Sequence, residues 1–216
     1  DALAGAGAGV VVVGRNSEAG AEGVGRQPTR CEFVRADSTS RAELQAVLEH
    51  LQTSGRQCDI LVNAAGVNSP TPFLQIPEEE WDRILNVNLK SVLLACQVFG
   101  GAMLEQEIAG AIINIASLSA ITPLSRVFTY SASKAAVLNL TQNLAREWAS
   151  RKIRVNALSP GFFPAEQNRK VLTPDRIEKI MGHTPAQRFG NPEELAGALL
   201  LLASNSAGSS NAPASS

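Results

Sequence analysis

Hydrophobic and polar positions along the chain form two kinds of segment, short apolar runs and longer stretches with helical periodicity. The apolar runs are rich in Val and Ile, and they lie at Val10–Val13, Cys31–Arg35, Ile60–Asn63, Ala111–Ala116 and Ile153–Leu158. Short runs with many β-branched residues predict buried strands.

The longer stretches repeat apolar residues at three- and four-residue steps, which predicts amphipathic helices. They lie at Arg41–Ser54, Glu78–Leu104, Tyr130–Ser150 and Pro192–Ala203. Strands that alternate with helices are typical of an α/β fold, in which helices cover a parallel sheet. We expect one such domain over residues 1–203, followed by a disordered tail over 204–216, where Ser, Ala, Asn, Gly and Pro dominate.

Composition and charge limit the kinds of molecule that the protein is expected to bind. The 216 residues carry 19 Lys+Arg against 20 Asp+Glu, and no dense basic run offers a surface for nucleic acid. The apolar runs are too short to span a membrane, and the first residues lack the features of a signal peptide. Three scattered cysteines and two distant histidines predict a reducing, cytoplasmic setting and no metal site.

A phenol and an ammonium group stand four residues apart at the start of a predicted helix. Tyr130 and Lys134 therefore emerge on one face of that helix. A nearby Lys cation favours phenolate over phenol, so we expect the pKa of Tyr130 to fall from its ordinary value of about 10. The pair then forms an acid/base catalyst poised near neutral pH. The alternative is an exposed Tyr beside a solvated Lys.

Three further polar positions are candidates for the same site. Ser117 closes a predicted strand, and open α/β sheets bind ligands at the carboxyl ends of their strands. Asn88 falls inside a long helix, where a carboxamide is a poor helix former, so it either serves a local function such as a water contact or faces solvent. The segment Asn63–Gly66 follows a strand, and its small residues admit either a flat ligand or a tight turn.

In this order and spacing, these motifs resemble the classical short-chain dehydrogenase/reductase family. The motifs are Asn63–Gly66, Asn88, Ser117, Tyr130 with Lys134, and Pro160-Gly161 after the last predicted strand. The resemblance runs from about Val10 to Ala203 and implies a Rossmann-like, doubly wound parallel sheet. It also implies an NAD(P)-dependent oxidoreductase that moves hydride between a nicotinamide and a secondary alcohol or ketone.

The resemblance assigns a role to each of these residues. Tyr130 would transfer the proton, and Ser117 would hydrogen-bond the same substrate oxygen. Lys134 would lower the pKa of Tyr130 and hold the nicotinamide ribose, while Asn88 would order a water beside it. The residues implied to face the cofactor are Asn63, Ala64, Gly66, Pro160 and Gly161, beside Tyr130 and Lys134.

The sequence departs from the family at both ends. The glycine-rich phosphate turn, the first strand before it and the last strand are missing, and Gly5, Gly7 and Gly9 precede a strand, whereas a phosphate loop follows one and opens a helix. We therefore expect neighbouring strands to lack a pairing partner. The segment is expected to be a fragment of a working enzyme or a copy with weak cofactor binding. The alternative function is that of a catalytically silent relative acting as an interaction or scaffold protein.

The segment that follows the first predicted strand, Gly14-Arg15-Asn16, bears on the choice of cofactor. Arg15 stands there and no acidic side chain does, so a 2′-phosphate is favoured over a free ribose hydroxyl. We expect NADP, with NAD as the alternative, and Asp37 on the adenine side.

The loop after Pro160-Gly161 resembles that of relatives acting on sugar acids. Gln167 and Asn168 suit several hydroxyls, and Arg169 suits a carboxylate. The alternatives are a mobile lid whose polar residues face water, or a hydrophobic alcohol or steroid-like ketone contacted by Phe162 and Phe163.

The two longest predicted helices carry more apolar residues than one sheet face covers. Relatives pair through these helices, so we expect Glu78–Leu104 and Tyr130–Ser150 to build a homo-dimer or homo-tetramer. The alternative is that these residues only complete the core.

Overall fold

The strands lie where the apolar runs predict them. The computed structural model describes residues 1–25, 29–163 and 174–204. Within these residues the strands are β1 Val10–Gly14, β2 Cys31–Arg35, β3 Ile60–Asn63, β4 Ala111–Ile115 and β5 Arg154–Leu158. Each agrees with its predicted run to within one residue at either end, because β-branched content and burial point to the same structure there.

All strand pairs are parallel, and they form two sheets. One sheet has the order β1-β2, with Val10 opposite Cys31, and the other has the order β3-β4-β5, with Ile60 opposite Ala111. In the described part of the chain, β1 pairs only with β2 and β3 only with β4. The expected unpaired strand edges are therefore present, and the parallel α/β sheet is divided between β1 and β3.

Helices connect and cover the strands. They are α1 Ala2–Gly5, α2 Ser17–Gly25, α3 Arg41–Thr53, α4 Glu78–Glu105, α5 Phe128–Trp148, α6 Pro174–His183 and α7 Ala196–Ala203. The predicted helices α3, α4 and α5 are confirmed, and the fourth divides into a 3₁₀ turn, Pro192–Leu195, followed by α7. The helices α2 and α6 were not predicted from the sequence.

Glycines explain two features near the N-terminal end. Gly7 follows α1 with a φ of 103°, so the early glycines end this helix and form its turn. Gly20 lies in α2 where an added Cβ would come within 2.2 Å of the Phe33 ring. The close approach to β2 therefore requires glycine at this position. Because glycine is a poor helix former, it weakens the helical pattern of α2 in the sequence.

One part of the core joins the two sheets. The apolar face of α3, with Leu44, Val47 and Leu51, is buried as predicted against α4. Val11 of β1 and Leu61 of β3 pack against this same cluster. The helices therefore hold the sheets together where no strand ladder does.

The long helix α4 is a core element. It has 28 residues and is apolar enough to cross a membrane by length and composition, but 61% of its apolar window is buried inside the fold. Met103 and Cys96 of α4 pack with Ile112 of β4 and Val137 of α5. The apolar residues of α4 therefore pack against β4 and α5.

The loops that follow β4 and β5 are tied together at the carboxyl edge of the sheet. The Ala116 amide donates to the Leu158 carbonyl at 2.8 Å, and the Leu118 amide donates to the Pro160 carbonyl at 3.0 Å. These bonds bring the turn containing Ser117 beside the Pro160-Gly161 segment.

Candidate active site

Lys134 is buried at the carboxyl end of β4. Its side chain is 3% exposed, and Nζ donates to the Ile115 carbonyl at 2.7 Å while lying 5.8 Å from the ring centre of Tyr130. Burial lowers the pKa of Lys134 to about 8. An exposed Tyr beside a solvated Lys is therefore the wrong description, because Lys134 lies in the interior and Tyr130 is half-buried.

The phenol of Tyr130 lies beside the hydroxyl of Ser117. Burial raises the pKa of Tyr130, and the neighbouring Ser117 hydroxyl opposes that rise only in part. This direction is opposite to the expected one. The reason is that burial disfavours phenolate, while the Lys134 ammonium donates to the Ile115 carbonyl.

Ser119 orients the hydroxyl of Ser117, a role that the sequence did not reveal. Ser117 precedes a 3₁₀ turn, Leu118–Ala120, and its Oγ accepts from the Ser119 amide at 3.2 Å and from the Ser119 hydroxyl at 3.0 Å. A serine hydroxyl has two lone pairs and one hydrogen. Because both lone pairs are used, the O–H of Ser117 is left to donate toward Tyr130.

Asn88 is fully buried and faces the loop after β3. Its Oδ1 accepts from the Val67 amide at 2.7 Å, and its Nδ2 donates to the Val67 carbonyl at 2.9 Å and to Ser133 Oγ at 3.0 Å. The solvent-facing alternative is thus wrong. Asn88 lies in a wide π-turn of α4, Asn86–Lys90, which accommodates a residue with poor helix propensity.

Asn63 directs its side chain into the sheet. Its Nδ2 donates to Asn114 Oδ1 at 2.8 Å, and Asn114 Nδ2 donates to Thr141 Oγ1 at 2.9 Å. The chain of bonds therefore joins β3, β4 and α5. The side-chain nitrogen of Asn63 is thus engaged within the fold, while Ala64 is exposed and Gly66 half-buried in the segment that follows. Neither Asn114 nor Thr141 was predicted, because each lies within a strand or helix pattern without any motif.

The described part of the loop after β5 lies beside the Ser117 turn. Pro160 is half-buried and Gly161 is exposed, and the Phe162 carbonyl accepts from the Gly190 amide at 2.9 Å. The three residues predicted to contact substrate lie outside the described residues; they are Gln167, Asn168 and Arg169.

Arg15 and Asp37 meet at the carboxyl ends of β1 and β2. Arg15 NH1 lies 3.7 Å from Asp37 Oδ2, and the Arg15 side chain is 67% exposed. Bonds from the amide and hydroxyl of Thr39 hold Asp37 in place and, with the charge of Arg15, lower its pKa. The two residues that were expected to contact different parts of a cofactor thus form an ion pair.

Parallel strands that gather a buried lysine, a tyrosine and a serine at their carboxyl ends define a class of protein, the nucleotide-binding α/β proteins with a proton-transfer site at the sheet edge. A family profile described as Enoyl-(Acyl carrier protein) reductase matches residues 1–212. The chain belongs to the short-chain dehydrogenase/reductase family.

Relatives in this family carry several related activities. The chain is 36% identical over 180 residues to the NAD-dependent glycerol dehydrogenase of Listeria innocua, a match that covers 83% of this chain and 70% of the relative. It is 35% identical over 167 residues to the 5-keto-D-gluconate 5-reductase of Escherichia coli K12, with coverage of 77% and 65%. The chain thus spans about two thirds of the length of these relatives.

A solved structure shows the same fold. The gluconate 5-dehydrogenase of Burkholderia cenocepacia, in complex with NADP and tartrate, superposes with a TM-score of 0.88 at 31% identity. The match covers 95% of this chain and 82% of that one. The Rossmann-like architecture expected from the motifs is confirmed by this similarity.

Proposed function

We propose that this chain belongs to an NAD(P)-dependent oxidoreductase that interconverts a secondary alcohol and a ketone. The observation that carries the proposal is the grouping at the carboxyl end of β4, where Tyr130 lies beside Ser117 and the buried Lys134 lies 5.8 Å from the Tyr130 ring centre. A phenol and a hydroxyl that lie side by side can both donate to one carbonyl oxygen, which accepts two hydrogen bonds.

The residues that are present fit a nicotinamide cofactor. Ala64 and Gly66 at the carboxyl end of β3 carry no long side chain that would keep a flat ligand away, and Lys134 supplies a cation beside Tyr130. When bound, the nicotinamide supplies or accepts the hydride. Its ribose hydroxyls would be held by Lys134, and the loop at Pro160-Gly161 would form the wall beside it.

The protein's own chemistry is proton transfer and orientation. In the reducing direction Tyr130 donates its proton to the substrate oxygen, while Ser117 donates a hydrogen bond to that oxygen and stabilises its developing charge. The raised pKa of Tyr130 keeps the phenol protonated at neutral pH, which suits the reducing direction. The oxidising direction requires the phenolate and therefore more alkaline conditions.

The proposed substrate is a hydroxy- or keto-sugar acid. A 5-keto-D-gluconate reductase among the relatives and a gluconate 5-dehydrogenase that holds tartrate both support an acid substrate. Arg169 is proposed to hold the carboxylate, and Gln167 with Asn168 the hydroxyls. Phe162 and Phe163 would favour a hydrophobic alcohol instead.

A substrate panel with the full-length protein tests this proposal. Keto-gluconate and related acids should be reduced, and Arg169→Ala should raise KM for acids at least tenfold while leaving KM for an uncharged polyol unchanged. Turnover of hydrophobic ketones alone would contradict the sugar-acid assignment. Cofactor binding without turnover of any substrate would instead support the silent-relative alternative.

NADP is the proposed cofactor, with NAD as the alternative. A 2′-phosphate would compete with Asp37 for the exposed Arg15 guanidinium. Arg15→Ala should therefore weaken NADP binding about tenfold and leave NAD binding within twofold of the parent protein. Equal losses for both cofactors in a titration would contradict this role for Arg15.

The proposed assembly is a homo-oligomer in the cytoplasm. On the outer face of α4, Trp81, Leu85, Leu89 and Leu93 follow one another at four-residue steps, and Trp81 and Leu93 are each 40% exposed. Such a stripe suits the same stripe of a second copy across a twofold axis. The three free cysteines support a reducing compartment.

A further inference from the structure

Ser133 lies between the two residues of the proton-transfer pair and is fully buried. Its hydroxyl donates to the Tyr130 carbonyl at 2.6 Å and accepts from Asn88 Nδ2 at 3.0 Å. A single side chain thus joins the turn that carries Tyr130 to helix α4.

Asn88 extends this connection to the loop after β3. Its carboxamide bonds both the amide and the carbonyl of Val67, the residue that follows the Asn63–Gly66 segment. Ser133, Asn88 and Val67 therefore form one continuous path of hydrogen bonds from the Tyr130 turn to the loop at the carboxyl end of β3.

We infer that Ser133 is a positioning residue, which fixes the Tyr130–Lys134 turn relative to the loop at Val67 through Asn88. The inference rests on the proposed function. Tyr130 must meet its substrate, and Lys134 its ribose, in a geometry set by the loop on which a cofactor would lie, and a shift of about 1 Å in such a geometry is costly to the reaction rate.

The chemistry of the path requires a hydroxyl at position 133. Serine offers one donor, which is used on the Tyr130 carbonyl, and lone pairs, one of which is used on Asn88. Alanine would leave an Asn88 N–H without its acceptor inside the fold, and the carboxamide would be free to turn away from Val67.

The same motif supplies a matched control. Ser131 lies one residue after Tyr130, and among the described residues its buried hydroxyl has no hydrogen-bond partner. Ser131→Ala removes the same atom from the same helical turn without breaking the path. Alanine is the best helix former, so both variants are expected to retain α5.

A spectroscopic test needs no substrate. The chain has one tyrosine, so ring-fluorinated tyrosine gives a single fluorine NMR resonance from Tyr130. Ser133→Ala should shift or broaden this resonance and speed amide exchange at Val67, with the amide of Ile113 in β4 unchanged. Ser131→Ala should match the parent in both measurements. Parent-like spectra and exchange in Ser133→Ala would overturn the inference.

Kinetics then test the consequence for the reaction. Ser133→Ala should lower kcat about tenfold with KM within twofold of the parent, because turnover depends on alignment more than binding does. A parent-like kcat would overturn the positioning role, even if thermal stability fell. If the parent protein turned over none of the substrates, the proposed function would fail, and the resonance of Tyr130 with the exchange of Val67 would still decide whether Ser133 positions the turn.

Discussion

At the scale of single residues, burial decides the ionisation of the candidate site. Tyr130 carries a raised pKa and Lys134 a lowered one, and desolvation is the largest cause of both shifts. Both groups are therefore held closer to their neutral forms than in water. A protonated phenol is the form needed for reduction, so the site favours the acid role of Tyr130 at neutral pH.

Removal of the phenol hydroxyl should abolish turnover. Tyr130→Phe keeps the ring and its packing but removes the proton donor, so kcat/KM should fall at least a hundredfold with the melting temperature little changed. Steady-state assays and thermal melts check this. A variant that retained a tenth of the parent activity would show that another group carries the proton.

The pH profile should differ between the two reaction directions. Oxidation requires Tyr130 as phenolate, and its pKa lies above the ordinary value of about 10. The rate of alcohol oxidation should therefore keep rising through pH 9, while ketone reduction stays level from pH 6 to 8. Rates of both reactions measured against pH with the parent protein check that the pKa of Tyr130 is raised. A reduction rate that fell steeply above pH 7 would contradict this direction.

The burial of Lys134 should lower the free energy of unfolding of the protein. A pKa of about 8 in place of 10.5 corresponds to about 3 kcal/mol of unfavourable burial below pH 8, a cost that fades as pH rises toward the ordinary value. Lys134→Met should raise the free energy of unfolding at pH 7 by about 1 kcal/mol, because loss of the bond to the Ile115 carbonyl offsets part of the gain. Denaturant unfolding should show this gain at pH 7 and a smaller one at pH 10. A gain that increased with pH would contradict the stated cause.

At the scale of elements, buried polar bonds between side chains set the positions of α5 and the central strands. Asn63 and Asn114 stand opposite each other on β3 and β4, and Thr141 ties Asn114 to α5. Thr141 also donates to the Val137 carbonyl at 2.7 Å. Such a network stabilises one relative position of helix and sheet, since each member satisfies the next.

The network can be tested by two matched substitutions in α5. Thr141 and Thr129 are 1% and 3% exposed, but of these two threonines it is Thr129 whose hydroxyl has no hydrogen-bond partner among the described residues. Thr141→Val should lower the free energy of unfolding by about 2 kcal/mol, because Asn114 loses its acceptor. Thr129→Val should be neutral or stabilising. If the two substitutions changed the free energy of unfolding equally, the hydrogen bonds of the network would make no specific contribution to stability.

At the scale of the whole molecule, the apolar stripe on α4 points to association. Leu93→Lys should place a charge in the proposed interface and shift the protein toward monomer in sedimentation or light scattering at micromolar concentration. Leu74→Lys is the control, because Leu74 is 95% exposed on the loop before α4 and lies outside the stripe. If the parent protein is itself monomeric at this concentration, the proposed homo-oligomer is wrong.

The sequence by itself determined the strands, the main helices and the motif that led to the family. Strand runs such as Ala111–Ile115 combine β-branched content with burial, and Tyr130 with Lys134 needs only helical spacing to share a face. These are local properties, so they can be read along the chain. The helix α2 was not predicted, because Gly20 and its neighbours weaken its local helical pattern. Glycine is needed at position 20 because the Phe33 ring of β2 leaves no room for a Cβ there.

The tertiary structure alone decided the electrostatics and the polar partners of the site. The pKa shift of Tyr130 has the opposite sign to the one that spacing predicts, because spacing reveals the nearby Lys134 but not how deeply both groups are buried. Ser133 acquires its role only when α4 and α5, which are distant in sequence, come together, and Ser119 only when the chain after β4 folds into its 3₁₀ turn. Desolvation and long-range hydrogen bonds depend on the packed surroundings of a group, which no local pattern encodes.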